Sequence, residues 1–375
     1  MIYDFYGKYQ IKQKEDLENL TNGSEKYSDI KDIYSRILLL STIFSVEGKW
    51  RDYRNRSQKI NPQAAAKAGD RNFKVGLLEL IKKEYKNYIS KQYEIFNRLN
   101  LNPIPDIKNL PVGSSIIQFP MVLKRSYISK DDEPLYIIEN PIRKEKIFKI
   151  PCISAMSWKG NLRWTMMKIH LENIINNPLL FAEKRFRHTL LFGTEKGLGD
   201  EMKGWSNYLN HICPKAQNLY LDKLKDKFYT KNIPPLKGML SFYPTFWDKI
   251  DLEVINPHDR ENKIGTNPIY YEVVPKESIG FFSILYFPNY WLEQSEKNHE
   301  IRIRNDLKMT IEGIKEMMLK YGFSAKKSND YGLIKKNWDK GKSLLIIKGF
   351  TEKERFSNFT ELENLLKEVN KGGSK

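Results

Sequence analysis

An α+β fold preceded by a helical N-terminal region is predicted from three observations. Apolar residues recur at helical spacing before residue 109, and short extended runs rich in β-branched and aromatic residues follow it. One further long helical pattern separates the last strands, as in chains that pack helices on an antiparallel sheet.

The 375 residues are 40% hydrophobic, enough for one large core or two moderate ones, which favours a globular over a disordered chain. Sixty-three Lys and Arg against 46 acidic residues give a net charge of +17, a field that concentrates polyanions such as nucleic acid. A Lys-rich composition also fits a protein with no such partner, so charge alone leaves both readings open. Cys152 and Cys213 lie far apart and outside any metal-ligand spacing, so neither a zinc site nor a disulfide framework is expected. With no long apolar run and a polar start, MIYDFYGKYQ, a soluble cytoplasmic protein with no membrane partner is expected.

In the first region, residues 1–108, Ile30, Ile33, Tyr34, Ile37 and Leu38 form one helical stripe behind a cap at Ser28. Leu78, Ile81, Tyr85, Ile89 and Phe96 form a second that packs on the first. Between them KWRDYRNRSQK interleaves Trp50 and Tyr53 with Lys49, Arg51, Arg54 and Arg56. Stacking faces beside cations suit single-stranded nucleic acid, and the alternative is a solvated basic loop anchored by one Trp. The proline-rich LNPIPDIKNLPVG marks a domain boundary near residue 109.

In the second region, residues 109–350, SSIIQFPMVLK reads as a strand, YISKDDEPLY as a polar excursion and IFKIPCISAM as a second strand. SAMSWKGNLRW then forms a basic turn into a helix carrying Leu162, Met166, Ile169 and Leu171. Lys159 and Arg163 share one face of it, and Gly160 lets a backbone approach. The competing reading makes Trp158 and Trp164 core anchors and the cations solvated. FGTEKGLGDEMKG lacks both the GxGxxG context and a Gly-Lys-Ser/Thr ending, so it is not a nucleotide loop. Ile250, Leu252 and Val254 alternate in another strand ending at Asn256-Pro257. NPIYYEVVPKESIGFFSILYF reads as a hairpin turning at PKES. Leu307, Ile311, Ile314, Met318 and Tyr321 mark a helix that Gly322 terminates, and the Met pair belongs to the core. The Gly-bounded basic loop GFSAKKSNDYG leads to a last strand, SLLIIKGF, completing a domain of ferredoxin-like or RNA-recognition-motif (RRM-like) kind. Residues 351–375 are read as a C-terminal helix and flexible tail.

Three landmarks stand in one order: Ile150-Pro151 leading to Ser157-Trp158-Lys159-Gly160-Asn161-Leu162-Arg163, then Phe192-Gly193, then GFSAKKSNDYG. Together they resemble the RAMP superfamily of CRISPR effector proteins, the Cas7-like subunits of type III complexes. GMLSFYPTFWDKIDLEVINPHD followed by TNPIYYEVVPKESIGFFSI is similar to the Cmr-type capping subunit. YISKDDEPLYIIENPIRKEKIFKIP is similar to the start of the backbone subunits. The resemblance spans about residues 110–350 and leaves the N-terminal helices unexplained. Ala155 and Met156 depart from the family's Gly and Ser, and Phe323 to Lys327 blur its glycine loop.

The resemblance implies a RAMP domain in an antiviral defence complex, bound to CRISPR RNA (crRNA), target RNA and other type III Cas subunits. Carried over by position, Lys159, Arg163, Lys326 and Lys327 contact phosphate, with Gly160 permitting close approach. Trp158, Arg143 and His258 join this RNA-binding set, and Trp50, Arg51 and Arg54 are its N-terminal candidates. Base specificity then belongs to guide–target pairing.

An alternative is target-RNA cleavage by Asp131 and Asp132, which stand where the family's backbone subunits carry a cleaving aspartate. The competing reading is a solvated acidic loop. His258 beside Asp259 is a weaker acid–base candidate. No cofactor is expected, and a divalent metal enters only with cleavage. Residues 1–108 are expected to serve protein–protein contact, because their helices have apolar faces.

Overall fold

The computed structural model describes residues 4–45, 76–100, 104–133, 136–195, 204–229, 233, 235–255, 269–292 and 296–368. Its strands, in chain order, are β1 Ser115–Val122, β2 Cys152–Ile153, β3 Leu240–Phe242, β4 Thr245–Phe246, β5 Asp251–Ile255, β6 Ile269–Val273, β7 Ile279–Tyr286, β8 Leu344–Ile347 and β9 Thr351–Glu354. A five-stranded sheet runs β3-β7-β1-β8-β9, and every neighbouring pair is antiparallel. Helices and antiparallel sheets together make the fold α+β.

The central strand β1 is buried along nearly its whole length because β7 flanks all of it and β8 flanks Ser115–Gln118. Pro120 lies beyond the part paired with β8, so its missing N–H interrupts no ladder on that side. Phe119 stacks on Trp338 at 4.7 Å and meets Phe359 edge-on at 5.5 Å. These aromatic contacts tie the C-terminal segment to the sheet.

The predicted PKES hairpin does not form. β6 pairs with β5 in a separate two-stranded ribbon, whereas β7 crosses into the main sheet between β3 and β1. Both strands are built of β-branched and aromatic residues, IYYEV and IGFFSILY, so local pattern could not distinguish mutual pairing from pairing with distant partners. The predicted strand IFKIPCISAM contracts to Cys152 and Ile153, which pair with β4.

The N-terminal helices are α1 Lys14–Asn22, α2 Ile33–Leu40 and α3 Lys86–Arg98, the last continuing a helical run from Leu77. Asp32, rather than Ser28, caps α2: its carboxylate accepts the Ser35 N–H at 2.7 Å. The two apolar stripes pack together as expected, with Arg36 of α2 paired to Glu84. These stripes are buried within the chain, whereas Phe5, Ile95 and Leu99 stay exposed. Phe96 lies 4.3 Å from Phe246 and 5.7 Å from Phe148, and one apolar core runs from Tyr9 to Leu366.

After β2 come α4 Ala155–His170, α5 Pro178–Phe192, α6 Gly204–Ile212 and α7 Ala216–Phe228; α8 Glu296–Glu316 and α9 Phe359–Glu368 follow β7 and β9 respectively. Helices α4 and α8 cross so closely at Gly313 that an added Cβ would fall 2.4 Å from Met166 Cγ. Met317 and Met318 are buried in the core, as expected. Among the described residues, no helix is long and apolar enough to cross a membrane.

Candidate nucleic-acid interface

Helix α4 begins earlier than predicted. Ser154 is its N-cap, accepting the Ser157 N–H at 3.1 Å, so Lys159 and Gly160 lie within the helix rather than in a turn. Trp158 points inward and is fully buried, donating its indole N–H to Thr245 Oγ1 at 3.0 Å. Its ring packs against Phe282 and Phe323. This corrects the expectation that Trp158 touches RNA: it anchors α4 and leaves no ring face open to a ligand.

The opposite flank of α4 carries Met156, Lys159, Gly160 and Arg163 at spacings of three and four. A Cβ on Gly160 would meet no protein atom within 4 Å, so nothing in this chain's packing requires glycine there. Burial pushes down the pKa of the Lys159 ammonium, and the Arg163 charge lowers it further. Arg163 is more deeply set, and burial lowers its pKa too. Its guanidinium reaches the Gly193 carbonyl at 3.5 Å and lies 5.9 Å from the Phe192 ring, so the Phe-Gly landmark abuts α4.

Glu195 is the nearby carboxylate that favours the Arg163 charge. It is already engaged by Arg185, whose Nε and Nη2 donate to it at 3.0 and 2.7 Å in a fully buried fork.

The Gly-bounded loop completes the surface. Gly322 and Gly332 let its two ends meet, since a Cβ on Gly332 would fall 2.6 Å from the Ser324 N. Ser324 Oγ accepts the Ile128 N–H at 2.9 Å, fastening the loop to the segment after β1. Lys327 extends over Trp164 of α4, 4.3 Å from the ring centre, and burial alone lowers its pKa. Lys326 turns to Tyr271 of β6 at 5.1 Å. Among the described residues, Lys159, Arg163 and Lys327 have no carboxylate within salt-bridge distance.

The predicted acids are arranged differently. Asp131 is a structural acceptor: its carboxylate takes the Asp132 N–H at 3.1 Å and the Lys144 N–H at 3.4 Å, closing the loop from 131 to 144. Asp132 and the Arg143 side chain are exposed. The loop is pinned from below by Glu272, fully buried, which pairs with Lys144 and accepts from Tyr136 Oη at 2.5 Å and the Ile142 N–H at 3.2 Å. Trp50, Arg51, Arg54 and His258 lie outside the described residues. No group of three or more His, Cys, Asp or Glu among the described residues is placed to hold a metal ion.

Sequence reasoning weighed Trp164 only as a core anchor and missed its place beside the basic loop. The available signal was its position four residues after Gly160 and next to Arg163.

No family model matches the sequence, and no curated protein matches it. Among solved structures, the chain is similar to a component of the type III-B Cmr-beta complex bound to cognate target RNA. That match has 13% identity over 89% of this chain and 99% of that one, with a TM-score of 0.38. It is also similar to a chain of a CRISPR RNA-guided surveillance complex, with 10% identity over 62% of this chain and 67% of that one and a TM-score of 0.35. For Cmr6 from Pyrococcus furiosus the values are 14%, 59%, 97% and 0.30.

Proposed function

We infer that the chain is an RNA-binding subunit of a type III CRISPR effector complex, holding crRNA for recognition of target RNA beside other Cas subunits. One observation carries the reading: Lys159, Arg163 and Lys327 are partly desolvated cations from two separate elements, without carboxylate partners among the described residues. Cations so placed lose hydration and gain no ion pair, a cost that a bound phosphate chain offsets. Gly160, open on the same flank, removes the side chain that would hold that phosphate chain away.

The topology supports the ferredoxin-like reading of the core. Strand β1, helices, β3, β7, helix α8 and β8 follow in chain order, and the corresponding sheet order is β3-β7-β1-β8. Of the two acids of the cleavage alternative, Asp131 is committed to its loop, so that alternative falls to the exposed Asp132.

The test is RNA binding by the purified chain across a salt series. Lys159→Glu with Arg163→Glu is expected to weaken binding and to lower the salt slope by about 0.7 for each phosphate no longer neutralised. Unchanged affinity and slope in a folded double variant would overturn the assignment. Purification with native neighbouring subunits is expected to yield RNAs of uniform length sharing one end; heterogeneous RNA would count against the CRISPR role.

A further inference from the structure

Trp158 and Trp164 sit six residues apart on α4 and have opposite fates. The first is sealed in the core; the second is half-buried beside Arg163, and its indole N–H bonds no described residue. What lies against the Trp164 ring is mostly cationic. Lys327 is 4.3 Å from the ring centre, Lys168 is 5.7 Å away, and Tyr321 meets it edge-on at 5.4 Å. Lys168 is held by Glu172 at 2.6 Å, whereas Lys327, among the described residues, has only the ring.

An ammonium bound only to a π face exchanges it readily for a phosphate oxygen, which offers charge-assisted hydrogen bonds. That exchange bares a flat aromatic surface beside the cations proposed to follow the RNA backbone. The geometry points to Trp164 as a stacking platform for an unpaired nucleobase of single-stranded RNA. Lys327 covers the ring in the free protein and moves to phosphate when RNA binds. The inference rests on the RNA-binding reading and adds a base contact to it. Because every base has a π face, the platform would carry little sequence preference.

The experiment compares wild type, Trp164→Leu and Trp164→Phe on two probes: an oligouridylate and an abasic ribose-phosphate oligomer of the same length. Thermal unfolding of each variant checks the fold. Trp164→Leu is expected to weaken oligouridylate binding about 5- to 150-fold while leaving the abasic probe nearly unaffected. Trp164→Phe, which keeps a ring, should retain most of the affinity. Lys327→Gln should lower the salt slope on both probes by about 0.7.

Equal weakening on both probes would overturn the inference, since the ring would then act only by shaping the phosphate site. Unchanged binding of both probes by a folded Trp164→Leu would overturn it too. If wild type binds neither probe, the RNA-binding reading falls and the platform with it. If wild type binds both and the Leu variant does not discriminate between them, only the platform falls.

Discussion

Replacing Gly160 with Ala separates what the fold needs from what the proposed ligand needs. The added Cβ meets no protein atom within 4 Å, and the residue lies inside α4, where glycine is the poorer helix former. The variant should therefore be more stable by about 0.5–1 kcal/mol, a rise in melting temperature on the order of 1 °C for a chain of this length. RNA binding should move the other way. A methyl group that pushes a phosphate from about 4 Å to about 5.5 Å from a cation weakens that interaction by about 1 kcal/mol at an effective dielectric near 20. Lys159 and Arg163 both flank the position, so the combined loss is about 2 kcal/mol, or about 30-fold in Kd. Calorimetry and a fluorescence-anisotropy titration on the same sample read the two quantities. Equal or tighter RNA binding by the Ala variant would refute the close approach, and lower stability would refute the open flank.

Three other outcomes follow from the buried groups. Trp158→Ala should cost about 3–5 kcal/mol in chemical denaturation, because it leaves a large cavity and strips Thr245 Oγ1 of a donor; a cost below about 1 kcal/mol would contradict its role as an anchor. Glu272→Gln should destabilise by about 3–5 kcal/mol by leaving the Lys144 charge buried and unpaired, and hydrogen exchange should rise first in the loop between Asp131 and Lys144. Asp306 is fully buried, and burial raises its carboxyl pKa from 3.8 to about 6. The native state then holds a proton that the unfolded chain releases, so stability falls as pH rises from about 4 to 6, by on the order of 3 kcal/mol. Asp306→Asn keeps an acceptor for Tyr286 and Trp291 and should flatten that slope; an unchanged slope would assign it to other groups.

What the sequence disclosed depends on the range of the interaction concerned. β1, β7, β8 and α8 were legible because each is an apolar run or helical stripe readable without knowing its neighbours. The β6–β7 hairpin was misread because pairing is a long-range choice: β6 finds β5 across a separation that local turn chemistry cannot weigh. The start of α4 was misread for a different reason. Trp158, Leu162, Thr165, Met166 and Met167 are all buried, so the helix faces protein on more than one side and shows no clean amphipathic stripe. With Lys and Gly on its remaining flank, such a helix looks locally like a basic turn.

The same geometry explains why the site residues divided as they did. Lys159, Gly160 and Arg163 were recognisable in one segment, and Lys327 in another, but the ring that joins the segments was not. A Trp beside an Arg is ambiguous in sequence, because an anchor and a platform differ only in which way the helix is rolled. Here Ser154 starts the helix, and contacts with β7 and the start of the basic loop roll Trp158 into the core. Once that roll is set, Trp164 falls toward the loop end, where Tyr321 and Lys327 meet it. The inward Trp thus sets the outward one, and a substitution that re-rolls α4 would disturb the proposed RNA site without itself contacting it. A Trp158→Phe variant that stays folded and still binds RNA fully would show that the roll is held by the rest of the helix instead.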